Sequence, residues 1–184
     1  MNIIETIQVN LTYPPLQKID PASETINEDI HPNMDNRLAQ AAIPAVLASL
    51  YKFSKIDEGT DKIIHSTNEE DWLRLIFDGK EGEAVENVAQ YAGVTTDVAG
   101  SHIENIADEA IRVIKEQTGA DAPPEKVKIF MNDQRHTILV YLPPSLGIGD
   151  LLNDESIDDH TNKMEGPISD IMHRIENKLS GDGK

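Results

Sequence analysis

The sequence predicts an all-α fold: a compact multi-helix domain with a helix-turn-helix-like corner and a C-terminal amphipathic helix. Three observations carry this expectation. Apolar residues recur at three- and four-residue spacing through most of the chain. The segment 36–53, "NRLAQAAIPAVLASLYKF", is apolar nearly all round, as a helix packed on several sides is. Paired prolines at 14–15, 123–124 and 143–144 punctuate the periodic stretches. Hydrophobic residues make up 39% of the chain and aromatic ones only 4%, so the core is to be built from Ala, Ile, Leu and Val.

Taken in order, residues 3–11 place Ile3, Ile4, Ile7 and Leu11 on one helical face. Pro14 and Pro15 break the chain, Leu16 to Ile19 suit one short turn, and 22–34 are weakly patterned around Pro32. In the central helix Pro44 removes one backbone donor and crowds the preceding turn, so a kink is expected there. Residues 57–66 and 68–77 read as two short helices. Asn68 is placed to cap the second, with Asp71 at its third position and Asp78-Gly79 as its stop. Helices over 81–92 and 96–118 follow, separated by Gly93, and Gly119 ends the second. Two readings of 125–142 compete. Alternation of Val127, Ile129 and Met131, then of Ile138, Val140 and Leu142, allows a hairpin around "NDQRH". Val127, Phe130 and Met131 with Ile138, Leu139 and Leu142 fit a helix, and prolines just before Glu125 suit a helix start; the helix is preferred. Finally, Ile168, Ile171, Met172, Ile175 and Leu179 mark an amphipathic helix before a frayed "SGDGK". The organisation is thus a helical domain over 1–152 and an acidic connector plus helix over 153–184. "LQKIDPASETI" and "AQYAGVTTDVA" form a weak internal echo, each leading into a long helix.

Formal net charge is −17, from 33 acidic and 16 basic residues. Such a polyanion repels nucleic acid and anionic lipid unless a local basic patch intervenes, and Lys and Arg are scattered singly along the sequence. Cysteine is absent, which removes disulfides, zinc thiolates and cysteine nucleophiles. The opening "MNIIETIQVN" lacks the basic and apolar regions of a signal peptide, and no apolar run reaches the roughly 18 residues of a membrane helix. A cytoplasmic chain is expected, in which the Asn10-Leu11-Thr12 triplet carries no glycosylation meaning.

Two stretches invite a functional reading. In "VENVAQYAGVTTDVAGSHIENI" (85–106), Ala89 is small where two helices would cross, and Gly93 stands where the turn needs positive φ. Val94 would fill the space beneath, and Thr95 or Thr96 can cap the second helix. Over about a dozen positions this resembles the opening module of LacI-type repressors. His102 replaces an apolar core residue of that module, however, and Ala99 is smaller than usual. Asp97, Glu104, Asp108 and Glu109 load the second helix with negative charge ahead of Arg112, which opposes binding to phosphates. The corner is therefore read as a packing device and nucleic acid as a disfavoured partner.

The second stretch, "DESIDDHTNKME" (154–165), places Asp154, Ser156, Asp158, the His160 carbonyl, Asn162 and Glu165 on the ligand positions of a calcium loop. Asp159 stands where the loop needs glycine, Thr161 where an aliphatic residue is usual, and Gly166-Pro167 disrupt the exiting helix. A solvated connector is preferred to a calcium site. Glu28-x-x-His31 and Asp170-x-x-His173 do not complete a di-iron set. No nucleophile elbow and no Gly-rich phosphate loop occur. Trp72, Leu73 and Ile76 read as a core anchor.

Three segments together carry a family resemblance: the Pro-containing "AAIPAVLASLYKF", then "IFDGKEGEAVENVAQYAGVTTDVAGSHIENIADEAIRVIKEQTG", then "VKIFMNDQRHTILVYLPPSLGIGDLL". Their order resembles the YidB-like bacterial proteins, a family of unknown function, from about residue 3 to about residue 152. The resemblance implies an all-helical fold with a homeodomain-like core, tips 125–142 towards helix, and implies no catalytic residues. Relatives with Gly-containing acidic runs near this C-terminal region add a little to the calcium idea, but this chain lacks those glycines, and its acidity and its tail from 153 are departures. The expected function is a non-enzymatic protein-protein interaction or scaffold module, with a protein partner or self-association. No catalytic, cofactor or metal residue is assigned. A DNA-binding regulator using 85–106 and a calcium-responsive protein using 154–165 are the alternatives.

Overall fold

The computed structural model describes residues 2–19, 34–67 and 70–158. The expected terminal helix over 168–179 lies outside the described residues, as do Glu28, His31, Asp170 and His173.

Helix α1 (Ile3–Leu11) begins where the Asn2 side chain accepts from the Ile4 N–H and ends at Thr12, which takes the left-handed conformation (φ 60°). Its buried face is Ile3, Ile4 and Ile7, as the periodicity predicts. The short turn expected at Leu16 to Ile19 does not form. Residues 13–19 run without helical structure, because a side chain in the next helix takes up the backbone hydrogen bonds a turn would have made. That side chain is Gln40, fully buried. Its carbonyl accepts from the Gln17 N–H at 2.8 Å, and its amide donates to the Gln17 carbonyl at 3.0 Å and the Tyr141 carbonyl at 2.7 Å. A second buried glutamine, Gln134, accepts from the Ile3 N–H at 3.0 Å, and the Ile19 N–H donates to the Val140 carbonyl at 2.8 Å. Residues 3–19 are thus stitched to α2 and α7 through Gln40, Gln134 and the Val140 carbonyl.

Helix α2 (Met34–Phe53), with Pro44 inside it, is the axle. Every residue from 38 to 51 is buried, and α1, α5, α6 and α7 pack around it together with shorter pieces. Ala39, Ala41, Ala42, Ala45 and Ala48 are fully buried and let neighbouring helices approach closely, while Ile43, Leu47 and Leu50 supply the bulk. Burying each such Ile or Leu stabilises by roughly 1.5–3 kcal/mol. The one hydroxyl in the stretch, Ser49, is satisfied by the Ala45 carbonyl.

Helix α3 (Asp57–His65) turns back sharply, and Gly59 permits it: a Cβ there would lie 1.9 Å from the Phe53 carbonyl oxygen. Helix α4 is shorter than the 68–77 expected and spans Trp72–Ile76. Its cap is Asp71, whose carboxylate accepts from the Arg74 N–H at 3.1 Å; Asn68 lies outside the described residues. The shift has a simple cause: it brings Trp72, Leu73 and Ile76 inward, with the Trp72 ring edge-on to Phe53.

Helices α5 (Glu81–Ala92) and α6 (Thr96–Thr118) meet at the expected corner. The 125–142 question resolves as helix α7 (Pro124–Leu139), with Pro124 in its first turn. It ends three residues early because Val140 and Tyr141 turn to meet Ile19 and Gln40. A 3-10 turn (Pro144–Leu146), α8 (Ile148–Leu152) and α9 (Glu155–Asp158) complete the described chain. No strand occurs among the described residues, so the all-α expectation holds.

Candidate functional site

The α5–α6 corner has the geometry that the sequence predicts. Gly93 sits at φ 72° and ends α5, with its N–H and that of Val94 both donating to the Ala89 carbonyl. Thr95, not Thr96, caps α6 by accepting from the Val98 N–H. Ala89 and Ala99 are buried at the crossing. The exposed face of α6 carries Asp97, Ser101, Glu104, Asn105 and Asp108. Those three carboxylates make the exposed face of α6 negative, which opposes contact with phosphates.

His102 departs from that face for a structural reason. Its Nδ1 shares a 2.5 Å hydrogen bond with the Tyr13 hydroxyl, and the two rings lie 5.8 Å apart. Tyr13 was not legible as its partner from the sequence; the signal was a polar residue at an apolar position, which demands a buried mate. Burial first, and then the Asp35 carboxylate, push the Tyr13 phenol up to about 12.

Tyr13 and His102 sit in the wall of a groove of about 770 Å³ between α1, the 13–19 segment, the start of α2 and α6. Its apolar lining comes from Val9, Leu11, Pro14 and Leu38, and its polar lining includes Gln8, Asn36 and Asn105. Gln8 is fixed by donating to the Pro14 carbonyl, and Asn10 ties α1 to α6 by donating to Glu109 at 2.6 Å. A second groove of about 370 Å³ meets the first at Leu11 and Asn105 and continues past Trp72, Ile111 and Lys115. These adjoining grooves make up a furrow that runs along α6 from His102 to Lys115.

Ionisable groups meet in the second groove, and their perturbations follow from surface pairing. Arg112 bridges Glu109 and Glu116, and its hydrogen bond holds the Glu109 carboxyl below its usual range. Burial raises Asp108. Lys115 donates to the Ser66 carbonyl at 2.8 Å. No nucleophile is paired with a base here, and no group of three His, Asp or Glu side chains that could hold a metal ion exists among the described residues.

Only the start of the acidic loop, 154–158, is described. Asp154 is not a free ligand: one oxygen accepts from the Ser156 N–H and hydroxyl, and the other from Lys55 Nζ at 2.8 Å. The solvated connector expected from the sequence is, at this end, docked: Ile157 is fully buried. Asp159 to Glu165 lie outside the described residues.

No helix among the described residues is long and apolar enough to cross a membrane. No protein-family model matches the chain, and no solved structure matches it.

Proposed function

We propose that this chain is a non-enzymatic helical interaction module whose furrow along α6 receives a polypeptide partner. The observation that carries the reading is the furrow's make-up. It is open, and its lining combines apolar Val9, Leu11, Pro14 and Leu38 with the side-chain amides of Asn36 and Asn105, which can pair with a peptide backbone. Val9 on its rim is 77% exposed although it is aliphatic. Beside the furrow, Tyr13 is paired with His102, Glu109 with Arg112, and Lys115 with the Ser66 carbonyl.

The test is site-specific photo-crosslinking in the native cell, with the reactive group at position 9 or 105 in the furrow, or at Ile129 on α7 as control. The expected outcome is one discrete protein adduct, or a dimer of this chain, from 9 and 105 and none from 129. No adduct from the furrow, or the same ladder from all three positions, overturns the proposal.

The corner geometry favours one other reading, a nucleic-acid reader using 85–106. Binding to random duplex at low salt that weakens steeply as salt rises supports it; no gel shift at low salt removes it.

A further inference from the structure

A second surface, at the C-terminal end of α2, already contains a ligand-like segment. Four cations converge there. Lys52 Nζ donates to the Leu152 carbonyl, Lys80 Nζ to the Leu151 carbonyl, Lys55 Nζ to the Asp154 carboxylate, and Arg135 Nη2 to the Ser156 carbonyl at 2.8 Å. Lys55 also reaches the Ser156 hydroxyl. In a chain with 33 acidic and 16 basic residues, four cations on six consecutive residues is a concentration the rest of the sequence does not prepare for. Tyr51 completes the surface: the Lys55 ammonium lies 4.7 Å, and the Arg135 guanidinium 6.0 Å, from its ring centre.

The segment held there is acidic with one aliphatic anchor, Ile157. Its four-residue helix α9 has no stability of its own, since so few residues cannot repay helix nucleation. It is held by the buried Ile157, by one ion pair from Lys55 to Asp154 and by the Arg135 hydrogen bond to the Ser156 carbonyl, a set of contacts small enough for local opening. The Lys55 side chain is 39% exposed and Asp154 15%, which leaves the pair within reach of salt and competitors.

We propose that Tyr51, Lys55 and Arg135 form a recognition site for an acidic peptide bearing an aliphatic residue three positions after its first carboxylate, and that Asp154 to Ile157 occupy this site in cis. The occupant is therefore a pseudo-ligand. A second acidic peptide of the same pattern gains the site only when α9 has lifted away. This inference is independent of the furrow, whose residues it does not use.

The experiment is made on the full chain. Hydrogen exchange is followed in wild type, in Lys55→Ala/Arg135→Ala and in Ile157→Asp. Amides of 155–158 are expected to exchange about tenfold faster or more in both variants, with α2 and α6 unchanged. A labelled synthetic peptide, GDLLNDESIDD (residues 149–159), is then titrated against each. Ile157→Asp is expected to bind about tenfold more tightly than wild type, because its own segment no longer competes, and Lys55→Ala/Arg135→Ala to bind no more tightly than wild type. Exchange at 155–158 that tracks α6 in every variant overturns the proposal, as does equal peptide binding by wild type and Ile157→Asp. A wild-type comparison at low and high salt keeps the test decisive if a variant misfolds: 155–158 must open faster at high salt while α6 does not.

Discussion

At the residue scale, single atoms decide where the chain turns. Gly59 is the sharpest case, since backbone, which cannot rotate away, occupies the place of its missing side chain. Gly59→Ala is expected to destabilise by about 1–3 kcal/mol, the usual range for overpacking, in chemical denaturation. Gly82, with open space around its Cβ position, should be neutral or slightly stabilised by the same change. Tyr13 carries the second residue-level expectation. Its folded pKa, about 12, lies above the ordinary value of 10.0. The folded state therefore holds the phenolic proton more tightly than the unfolded state does. The associated stability is complete below pH 10 and is lost as pH rises towards 12. Tyr13→Phe should flatten this limb of the stability profile, and a spectrophotometric titration of wild type should show a phenol that ionises late. Sequence reasoning marked His102 as out of place but not Tyr13, because the pair is separated by 89 positions and no local pattern joins them.

At the element scale, helix positions were legible and helix edges less so. Boundaries for α1, α5 and α6 follow from periodicity and caps that agree with one another: Asn2 and Thr95 cap, and Gly93 and Gly119 stop. Where tertiary contacts outvote local signals, the reading fails. Asn68 is a good local cap, but starting α4 at Trp72 under Asp71 buries the tryptophan. The 13–19 segment shows the same effect, because a turn's hydrogen bonds were replaced by Gln40, whose partners Gln17 and Tyr141 are 23 and 101 positions away. The furrow was invisible for this reason too. It is assembled from α1, the 13–19 segment, α2 and α6, and no one of them advertises it. Gln40→Leu leaves the backbone groups of Gln17 and the Tyr141 carbonyl unpaired in a buried place. A loss of about 1–3 kcal/mol is expected, with amide exchange accelerated at 17 and 19 and little changed in α5.

For the whole molecule, the charge balance and the fold pull on each other. A net charge of −17 spread over a small body repels itself. The structure answers locally, with Lys62 beside Glu70, Lys128 between Asp57 and Glu125, and Arg112 between Glu109 and Glu116. Composition announced the excess of carboxylates correctly. It did not announce that the scattered lysines at 52, 55 and 80 would be gathered with Arg135, since they share no sequence neighbourhood. The buried amide of Gln40 also has a consequence in time. During synthesis residue 40 emerges long before Tyr141, and until then part of its hydrogen-bonding capacity has nowhere to go. The central helices can associate as they appear, but residues 13–19 wait for α7 and Tyr141 to leave the ribosome, so the described fold closes by returning to its own beginning.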